Sequence, residues 1–424
     1  MSRRTFVALQ HRNFRLLWIG LFVSMTGSLM QNAAILWHVS LLAAPGRKAL
    51  ALGLVGLVRV APVIVFSMIS GVVADAWNRR RLMLMTQSAA AVVAVMLAVL
   101  TYRGLTQVWP IYLLAALGAA AGAFDLPARQ SLIPMLVPRE DLPNAISLNS
   151  IMFQTASVIG PSVAGVLIGT SSLTAVYVAN AFSFLFVIGA LLMMRGVPER
   201  QDANGGKNEI SLRAALEGLR FVFSSAVIRS TMMLDFLATF FSSATALLPI
   251  FAQDVLHVGA QGYGWLYAAP AVGAMTASAT MVWMNERIDR RGRVLLTAVS
   301  IYGVATVVFG LSRSFWLTFF CLAVTGASDT VSTIIRNVIR QLETPDHLRG
   351  RMTGVNMVFF MGGPQLGELE AGVVANWLGA PISVITGGLG CLLATSWITA
   401  TTPAIRHYRR ETVLEGRNTR PAGI

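Results

Sequence analysis

Charged side chains are scarce in this sequence. Only 12% of its 424 residues are Asp, Glu, Lys or Arg, about half of the roughly 25% that soluble domains carry. The 33 basic and 19 acidic residues are too few to cover a soluble protein of this length, and 55% of the chain is hydrophobic. The composition therefore argues against a soluble fold and indicates that lipid is the solvent.

Cysteine and histidine are also rare. The two cysteines, Cys321 and Cys391, lie inside apolar stretches, where they are expected to be small hydrophobic residues and not a disulfide or a metal site. The five histidines are scattered, and no zinc or phosphate-loop spacing occurs. These residues predict no metal, no cofactor and no enzymatic activity.

Long apolar runs occupy most of the chain. Because a membrane-spanning helix needs ~20 residues, about twelve such helices with short loops account for nearly the whole length. We therefore expect an all-α membrane protein with twelve transmembrane helices. Apolar runs bounded by Pro, Gly and charge place them at 16–43, 50–75, 82–103, 109–133, 144–169, 174–195, 229–256, 262–286, 293–312, 314–340, 350–377 and 382–402.

The net charge of +14 is distributed unevenly. If the N-terminus is cytoplasmic, 28 of the 33 basic residues lie on the cytoplasmic side, and the outer loops hold Arg47, Lys48, Arg103 and Arg313. This bias predicts a multi-pass protein of the bacterial inner membrane with both termini in the cytoplasm. It also favours contact with anionic lipids on the cytoplasmic side over binding of nucleic acid.

The sequence contains one internal repeat. Three residues of the first half recur 207 residues later, and parallel duplicated halves are typical of transporters that open a central cavity to alternate sides. We expect an N-terminal six-helix bundle at 1–195, a cytoplasmic linker with an interfacial helix at 196–228, a C-terminal bundle at 229–402 and a cytoplasmic tail at 403–424. The repeated residues are Arg129, Pro138 and Asn149, followed by Arg336, Pro345 and Asn356.

A short motif points to a family. From Gly71 to Arg81 the sequence reads Gly-Val-Val-Ala-Asp-Ala-Trp-Asn-Arg-Arg-Arg, which resembles the major facilitator superfamily signature between spans 2 and 3. Segments 125–149 and 367–372 are similar to the bacterial exporter branch that includes the enterobactin exporter and related drug-efflux proteins. The resemblance covers nearly the full chain and implies two pseudo-symmetric six-helix bundles that export a small amphiphilic compound.

The resemblance implies an inner gate at the signature motif. In the family this motif holds the inner side closed, and it carries that role to Gly71, Asp75, Arg79 and Arg80. Physically, Asp75 can pair with the neighbouring arginines or with Arg129, at the inner end of span 4. The alternative is a basic turn that sets topology beside an incidental carboxylate. Here Ala76 replaces the usual arginine of the family.

Charges inside spans 2 and 11 suggest an outer gate. Arg59, Glu368 and Glu370 lie ~10 to 14 Å below the outer boundary at a rise of about 1.5 Å per residue, and the resembled fold places these two spans side by side. We expect Arg59 to pair with one glutamate, preferably Glu370, because an unpaired charge there costs ~2.5 to 3.5 kcal/mol. Alternatively, Arg59 extends outward or binds backbone carbonyls of its own half.

Three more acids lie inside apolar sequence. An intramembrane carboxylate is a functional candidate by default, so Asp235 in span 7 and Asp329 in span 10 are candidate proton or cation sites. For Asp235 a purely structural hydrogen bond is an equal alternative. Asp125 lies four residues before Arg129, and a helix-surface ion pair is the preferred interpretation for it. Ser28 stands where many relatives place a carboxylate.

Polar and small residues complete the candidate site. Amides and an aromatic wall suit an amphiphilic ligand, although each residue alone is more often a packing group. The candidate cavity residues are Gln31, Asn32, Asn149, Gln154, Trp265 and Asn356. Gly160, Pro161 and Gly165 of span 5 resemble the antiporter motif of the family and predict a helix kink with close helix crossing.

The sequence therefore predicts a monomeric secondary transporter that exports an amphiphile, in exchange for protons, by alternating access. An importer or a lysolipid flippase on the same fold is the nearest alternative. A membrane receptor without transport is a more distant one, because no cytoplasmic output domain is visible in the sequence.

Overall fold

A computed structural model of the chain describes residues 6–196, 219–284, 288–345 and 348–409. The side chains of 67–69, 71–72, 74–76, 349–351, 353–354 and 357–358 lie outside this description. Among the described residues the regular structure is helical and contains no strand, which confirms the predicted all-α class. Most of the predicted linker, 197–218, also lies outside the description.

Six long helices form the N-terminal part of the chain. Each begins and ends within a few residues of a predicted span, because the apolar runs continue to the polar or glycine-containing turns that end them. The helices are α1 (Arg12–Leu42), α2 (Lys48–Ala76), α3 (Arg79–Tyr102), α4 (Trp109–Leu132), α5 (Leu142–Thr170) and α6 (Leu173–Met193).

Six more long helices follow, after a helical segment at 219–224. Within the described residues, ten helical stretches of the whole chain are long and apolar enough to cross a membrane, so the chain is a multi-pass membrane protein. The helices are α7 (Ala226–Ser242), α8 (Gly259–Met284), α9 (Arg291–Leu311), α10 (Phe315–Glu343), α11 (Arg349–Leu378) and α12 (Ala380–Thr401).

The seventh span differs from its prediction. We expected one helix over 229–256, but α7 ends at Ser242 and the chain continues through short turns to a π-helical turn at Phe251–Val255. Pro249 contributes to the irregularity because it has no N–H for the carbonyl four residues earlier. The π-turn is closed by the bond from the Leu256 N–H to the Phe251 carbonyl, 2.8 Å long.

Side chains cap several helix starts. The Asn78 side chain accepts hydrogen bonds from the backbone N–H groups of Arg80 and Arg81, at 3.1 and 3.2 Å, so α3 begins within the signature motif, at Arg79. Ser172 and Ser225 cap α6 and α7 in the same way. These caps satisfy N–H groups that have no partner within the helix.

Helix pairing repeats between the two halves. In the first half α1 packs on α5 and α6, α3 packs on α4 and α6, and α2 packs on α4. In the second half α7 packs on α11 and α12, and α9 packs on α10 and α12. Gly326 of α10 lies directly against the Pro270 backbone of α8, which supplies the fifth equivalent pair. The duplicated six-helix architecture predicted from the repeat is therefore confirmed.

Internal contacts divide the chain into two compact units. The first unit comprises Met1–Asn208 together with Leu248–Ala268, and the second comprises Glu209–Leu247 with Ala269–Ile424. The end of span 7 and the start of α8 thus belong to the first unit, although in the sequence they are part of the second half. The sequence-based domain boundaries stay a prediction.

Candidate functional site

The signature motif is described only in part. Gly71 and Asp75 fall on α2, where their side chains lie outside the described residues. The Arg80 guanidinium donates to the backbone carbonyls of Leu191 and Leu192, at 2.6 and 3.1 Å. It therefore binds the C-terminal end of α6, where carbonyls lack helical partners and the helix dipole favours a cation. The Arg79 guanidinium donates to the Met135 sulfur at 2.8 Å.

Arg129 does not form the expected ion pair with Asp125. The Asp125 carboxylate instead accepts hydrogen bonds from the Thr86 hydroxyl at 2.9 Å and the Gln87 amide at 2.8 Å, both on α3. These two donors satisfy the carboxylate on the side of α4 that faces α3. The guanidinium of Arg129 has no ion-pair partner among the described residues.

Arg129 lines a cavity in the first unit. The cavity has a volume of about 320 Å³ and is formed by residues of α1, α4 and α5. Two predicted cavity residues, Asn149 and Gln154, are brought together there. The described residues that line it are Met25, Arg129, Asn149, Ser150, Met152, Phe153 and Gln154. The wall therefore combines one cation, two amides, two thioethers and an aromatic ring.

The other predicted cavity residues have different surroundings. The Gln31 side chain accepts a hydrogen bond from the Asn180 amide at 2.8 Å. Asn32 is half-buried, and Trp265 is exposed over 48% of its surface. In the second unit the Asn356 side chain accepts a hydrogen bond from Arg340. A role for these four residues in binding substrate stays a prediction.

A buried charge cluster lies in the second unit. Arg336 of α10 is the largest fully buried side chain among the described residues, and both it and Asp235 of α7 are 1% exposed. The Arg336 guanidinium lies 2.8 Å from the Asp235 carboxylate and 3.8 Å from that of Asp329, which is about two turns earlier on the same face of α10. It also donates to the Thr333 hydroxyl at 2.8 Å. Both predicted proton-site acids therefore surround one arginine.

The cluster continues toward two neighbouring helices. Arg340, one turn further along α10, donates to the Asn337 side chain at 2.5 Å and to Asn356 of α11. Tyr302 of α9 lies within electrostatic range of the two acids and Arg336. One oxygen of Asp235, Oδ2, has no hydrogen-bond partner within the described part of the chain. The Arg336 guanidinium therefore binds one oxygen of Asp235 and leaves the other without a described partner.

The outer-gate residues belong to different units and are described separately. Arg59 lies on α2 in the first unit, within electrostatic range of the Tyr177 hydroxyl, and its buried Nη2 has no hydrogen-bond partner among the described residues. In the second unit, Glu368 is buried and Glu370 is half-buried. Their pairing stays a prediction.

A second polar group lies at the predicted outer end of the first unit. The Lys48 ammonium donates to the Gln253 side chain at 2.6 Å and lies 3.0 Å from the Asp254 carboxylate. The Gln253 amide donates in turn to the Ser40 hydroxyl at 2.8 Å. The π-turn brings Gln253 and Asp254 to the start of α2. Sequence reasoning missed this contact because Lys48 looked like an ordinary loop charge.

Close helix crossing accompanies that contact. A Cβ atom at Gly165 of α5 would lie 2.7 Å from the Ala260 carbonyl and 2.8 Å from Gly264 Cα, so only glycine permits this approach. At Gly160 a Cβ would lie 2.8 Å from the Thr26 carbonyl of α1. The Tyr263 hydroxyl donates to the Ala33 carbonyl at 2.8 Å. These positions fit the expected close crossing, whereas the kink at Pro161 stays a prediction.

The repeated helices and the charges enclosed between them define a membrane transporter of the major facilitator fold. Residues 3–413 match the family described as transmembrane secretion effector. The chain therefore belongs to this family, an exporter branch of the major facilitator superfamily, whose members are transporters of small molecules and not enzymes.

Two named relatives are similar over most of their length. The multidrug efflux pump Tap of Mycolicibacterium fortuitum is 28% identical over 385 residues, covering 88% of this chain and 92% of Tap. The enterobactin exporter EntS of Escherichia coli (strain K12) is 25% identical over 343 residues, covering 81% of each chain. The match with both relatives agrees with the exporter branch expected from the motifs.

Two solved structures share the fold. A POT family transporter in complex with 5-aminolevulinic acid superposes with a TM-score of 0.73 at 11% identity, covering 93% of this chain and 96% of that chain. A bacterial homologue of the human lysosomal transporter Spinster, inward-facing and unoccupied, gives 0.71 at 13% identity, covering 97% and 100%. At such identities the likeness shows the fold alone.

The buried cluster gives a stability prediction. Arg336→Met should lower the free energy of unfolding by about 3 to 5 kcal/mol, because the Asp235 carboxylate is then buried without its cation. Adding Asp235→Asn should recover part of that loss. Denaturant unfolding of the purified protein in detergent measures both variants.

Lys48→Met is the matched control for this cycle. Its partner Asp254 has a side chain that is 55% exposed, so the expected cost is below about 1 kcal/mol. If the losses from Asp235→Asn and Arg336→Met simply add, the two side chains do not stabilise the protein as a pair.

Proposed function

We propose that the protein exports a small amphiphilic compound across the bacterial inner membrane, with both termini in the cytoplasm. The cavity of the first unit carries this proposal, because a cation and amides beside thioether and aromatic groups suit a ligand with a polar end and an apolar body. The family match and the names of Tap and EntS support outward transport. The excess of basic residues on one side supports the orientation and contact with anionic lipids. We further propose that the monomer is the working unit.

The charge cluster of the second unit supports coupling to protons. One guanidinium can compensate one carboxylate, and Asp235 lies at 2.8 Å from Arg336 whereas Asp329 lies at 3.8 Å. The Asp329 side chain is 44% exposed, so a proton can reach it. In our proposal, Asp329 accepts a proton from the outer side and releases it inside, and its ionised form competes with Asp235 for Arg336. The competition changes how α7 is held against α10.

The polar contact of Lys48 supports alternating access. Residues 248–268 belong to the first unit, where they contact Lys48 and Ser40 and cross α5 closely at Gly165. We propose that this contact closes the outer side and must separate when the site opens outward. Its partly exposed charges favour such a role, because water can replace an exposed ion pair at little cost.

The predicted pair of Arg59 with Glu370 is retained as a second outer contact. A guanidinium nitrogen that is buried without a partner among the described residues costs free energy, which favours a state in which Arg59 binds a carboxylate. Glu370 is the preferred partner, and Glu368 is the alternative.

Export and its coupling can be tested together. Everted membrane vesicles made acidic inside should accumulate anilinonaphthalene sulfonate or N-phenylnaphthylamine, and a protonophore should abolish the accumulation, whereas right-side-out vesicles should show none. Asp329→Asn should abolish gradient-driven accumulation but preserve exchange of the probe without a gradient, because the site then cannot release a proton. Asp289→Asn, at an exposed loop acid, is the control. Full gradient-driven accumulation by Asp329→Asn would refute the assignment.

A crosslink tests the outer contact. In a background without Cys321 and Cys391, Lys48→Cys and Asp254→Cys should react with a bis-methanethiosulfonate that spans the original side-chain separation and attaches to each cysteine through a reducible disulfide. Transport should then stop and return on reduction, because the contact cannot separate while it is crosslinked. Each single cysteine variant, treated identically, is the control. Transport that continues at the same rate after complete crosslinking would show that the contact stays closed throughout the cycle.

Charge reversal tests the Arg59 pair. Arg59→Glu and Glu370→Arg should each reduce transport at least about tenfold, because each places like charges together. The double variant should restore a substantial part of the rate in the vesicle assay. Arg59→Glu with Glu368→Arg is the matched comparison, and rescue by that combination alone would assign the partner to Glu368.

A further inference from the structure

Arg129 and Arg336 occupy equivalent positions of the repeat but have different surroundings. Arg336 lies between two carboxylates, from α7 and α10. Arg129, at the same position of α4, has no ion-pair partner among the described residues and lines the cavity of the first unit. Both copies of the repeat therefore have the arginine, but among the described residues only the second copy pairs it with carboxylates of its own.

The first half lacks the two carboxylates that hold Arg336. The residue 207 positions before Asp329 is Gly122, and α1, the equivalent of α7, contains no acidic residue. A Cβ atom at Gly122 would meet no atom within 4 Å, so the space that the equivalent carboxylate would enter is open. Asp125, the acid nearest to Arg129 along α4, is held by Thr86 and Gln87.

The groups around Arg129 are free to bind a ligand. The side-chain amides of Asn149 and Gln154 form no hydrogen bond with another described residue, whereas the Ser150 hydroxyl donates to the Ile146 carbonyl at 3.1 Å. None of the described lining residues is acidic, and Met25, Met152 and Phe153 supply an apolar wall. A volume of about 320 Å³ lies at the lower end of ligand pockets, which range from roughly 300 to 1,000 Å³.

We propose that this cavity selects amphiphiles that carry an anionic group. A carboxylate, sulfonate or phenolate of the ligand binds Arg129 where the second half uses its own carboxylates, the two amides donate to the same group, and the apolar body contacts Phe153 and the methionines. This inference rests on the proposed function in that the bound amphiphile is the compound transported. It adds the charge of that compound and the residue that recognises it.

Two fluorescent probes with the same aromatic body test the selection. The full chain, purified in an uncharged detergent, is titrated with anilinonaphthalene sulfonate and with N-phenylnaphthylamine, which lacks the sulfonate; protein-free micelles supply the background. Arg129→Gln should weaken sulfonate binding about tenfold or more, as expected for a hydrogen bond to a charged group. It should change binding of the neutral probe by less than about twofold, and Arg129→Lys should retain most of the sulfonate affinity.

A second variant introduces near Arg129 a carboxylate equivalent to that of Asp329 in the second half. Gly122→Asp should lower sulfonate affinity as strongly as Arg129→Gln, because the new carboxylate takes the place of the ligand beside Arg129. Gly122→Asn has nearly the same shape without the charge and should bind the sulfonate as the parent does. Arg139→Gln, at an exposed loop arginine on the same predicted side, controls for general loss of positive charge.

The outcomes separate this inference from the proposed export. Equal weakening of both probes by Arg129→Gln, or equal effects of Gly122→Asp and Gly122→Asn, would overturn the anion site and would fit a role of Arg129 in the inner gate. If Arg129→Gln does not fold, the Gly122 pair decides. Because binding in detergent needs no transport, charge-selective binding without vesicle uptake would contradict only export. Uptake without charge selection would contradict only the anion site.

Discussion

The structure depends on the requirement that a charge enclosed among lipid-embedded helices has a partner. An isolated charge at the middle of a span costs ~2.5 to 3.5 kcal/mol; Arg336 lies nearer the inner end of α10 but is still only 1% exposed. It is retained because Asp235 and Asp329 lie beside it. The same bond fixes α7 against α10, whereas Asp329 lies farther from the guanidinium, at 3.8 Å. In the mechanism that we propose, the side chains that pack α7 against α10 are also the ones that bind the proton, so that protonation would act directly on helix contacts.

Duplication gives the protein two copies of one scaffold that can diverge in side chains. The same five helix pairs occur in each half, so the backbone positions of Arg129 and Arg336 are equivalent. One copy holds its arginine with two internal acids, whereas the other has Gly122 at the position equivalent to Asp329 and an arginine that lines a cavity. In our proposal, this difference in carboxylates is what leaves the Arg129 guanidinium available to an anionic ligand.

Much of this arrangement could be predicted from sequence. Low charge and long apolar runs specified a twelve-helix membrane protein, and the recurrence of Arg129 at Arg336 specified its duplication. The partner of Asp235 could not be predicted, because it lies on another helix and the rotation of that helix is set by packing. Asp125 was wrongly paired with Arg129 for a related reason: spacing along one helix ignored donors on α3. The contact of Lys48 depends on a π-turn that no local sequence signal announced.

The path of residues 248–268 has a consequence for dividing the chain. In the sequence this segment is part of the second half, but it belongs to the first compact unit. The Lys48 contact and the glycine crossing of α5 and α8 hold it there. A cut in the linker would therefore not produce two self-sufficient fragments. The N-terminal fragment would expose the surface that Tyr263 and Gly264 cover, so split versions of the protein should accumulate only when both pieces are synthesised in the same cell.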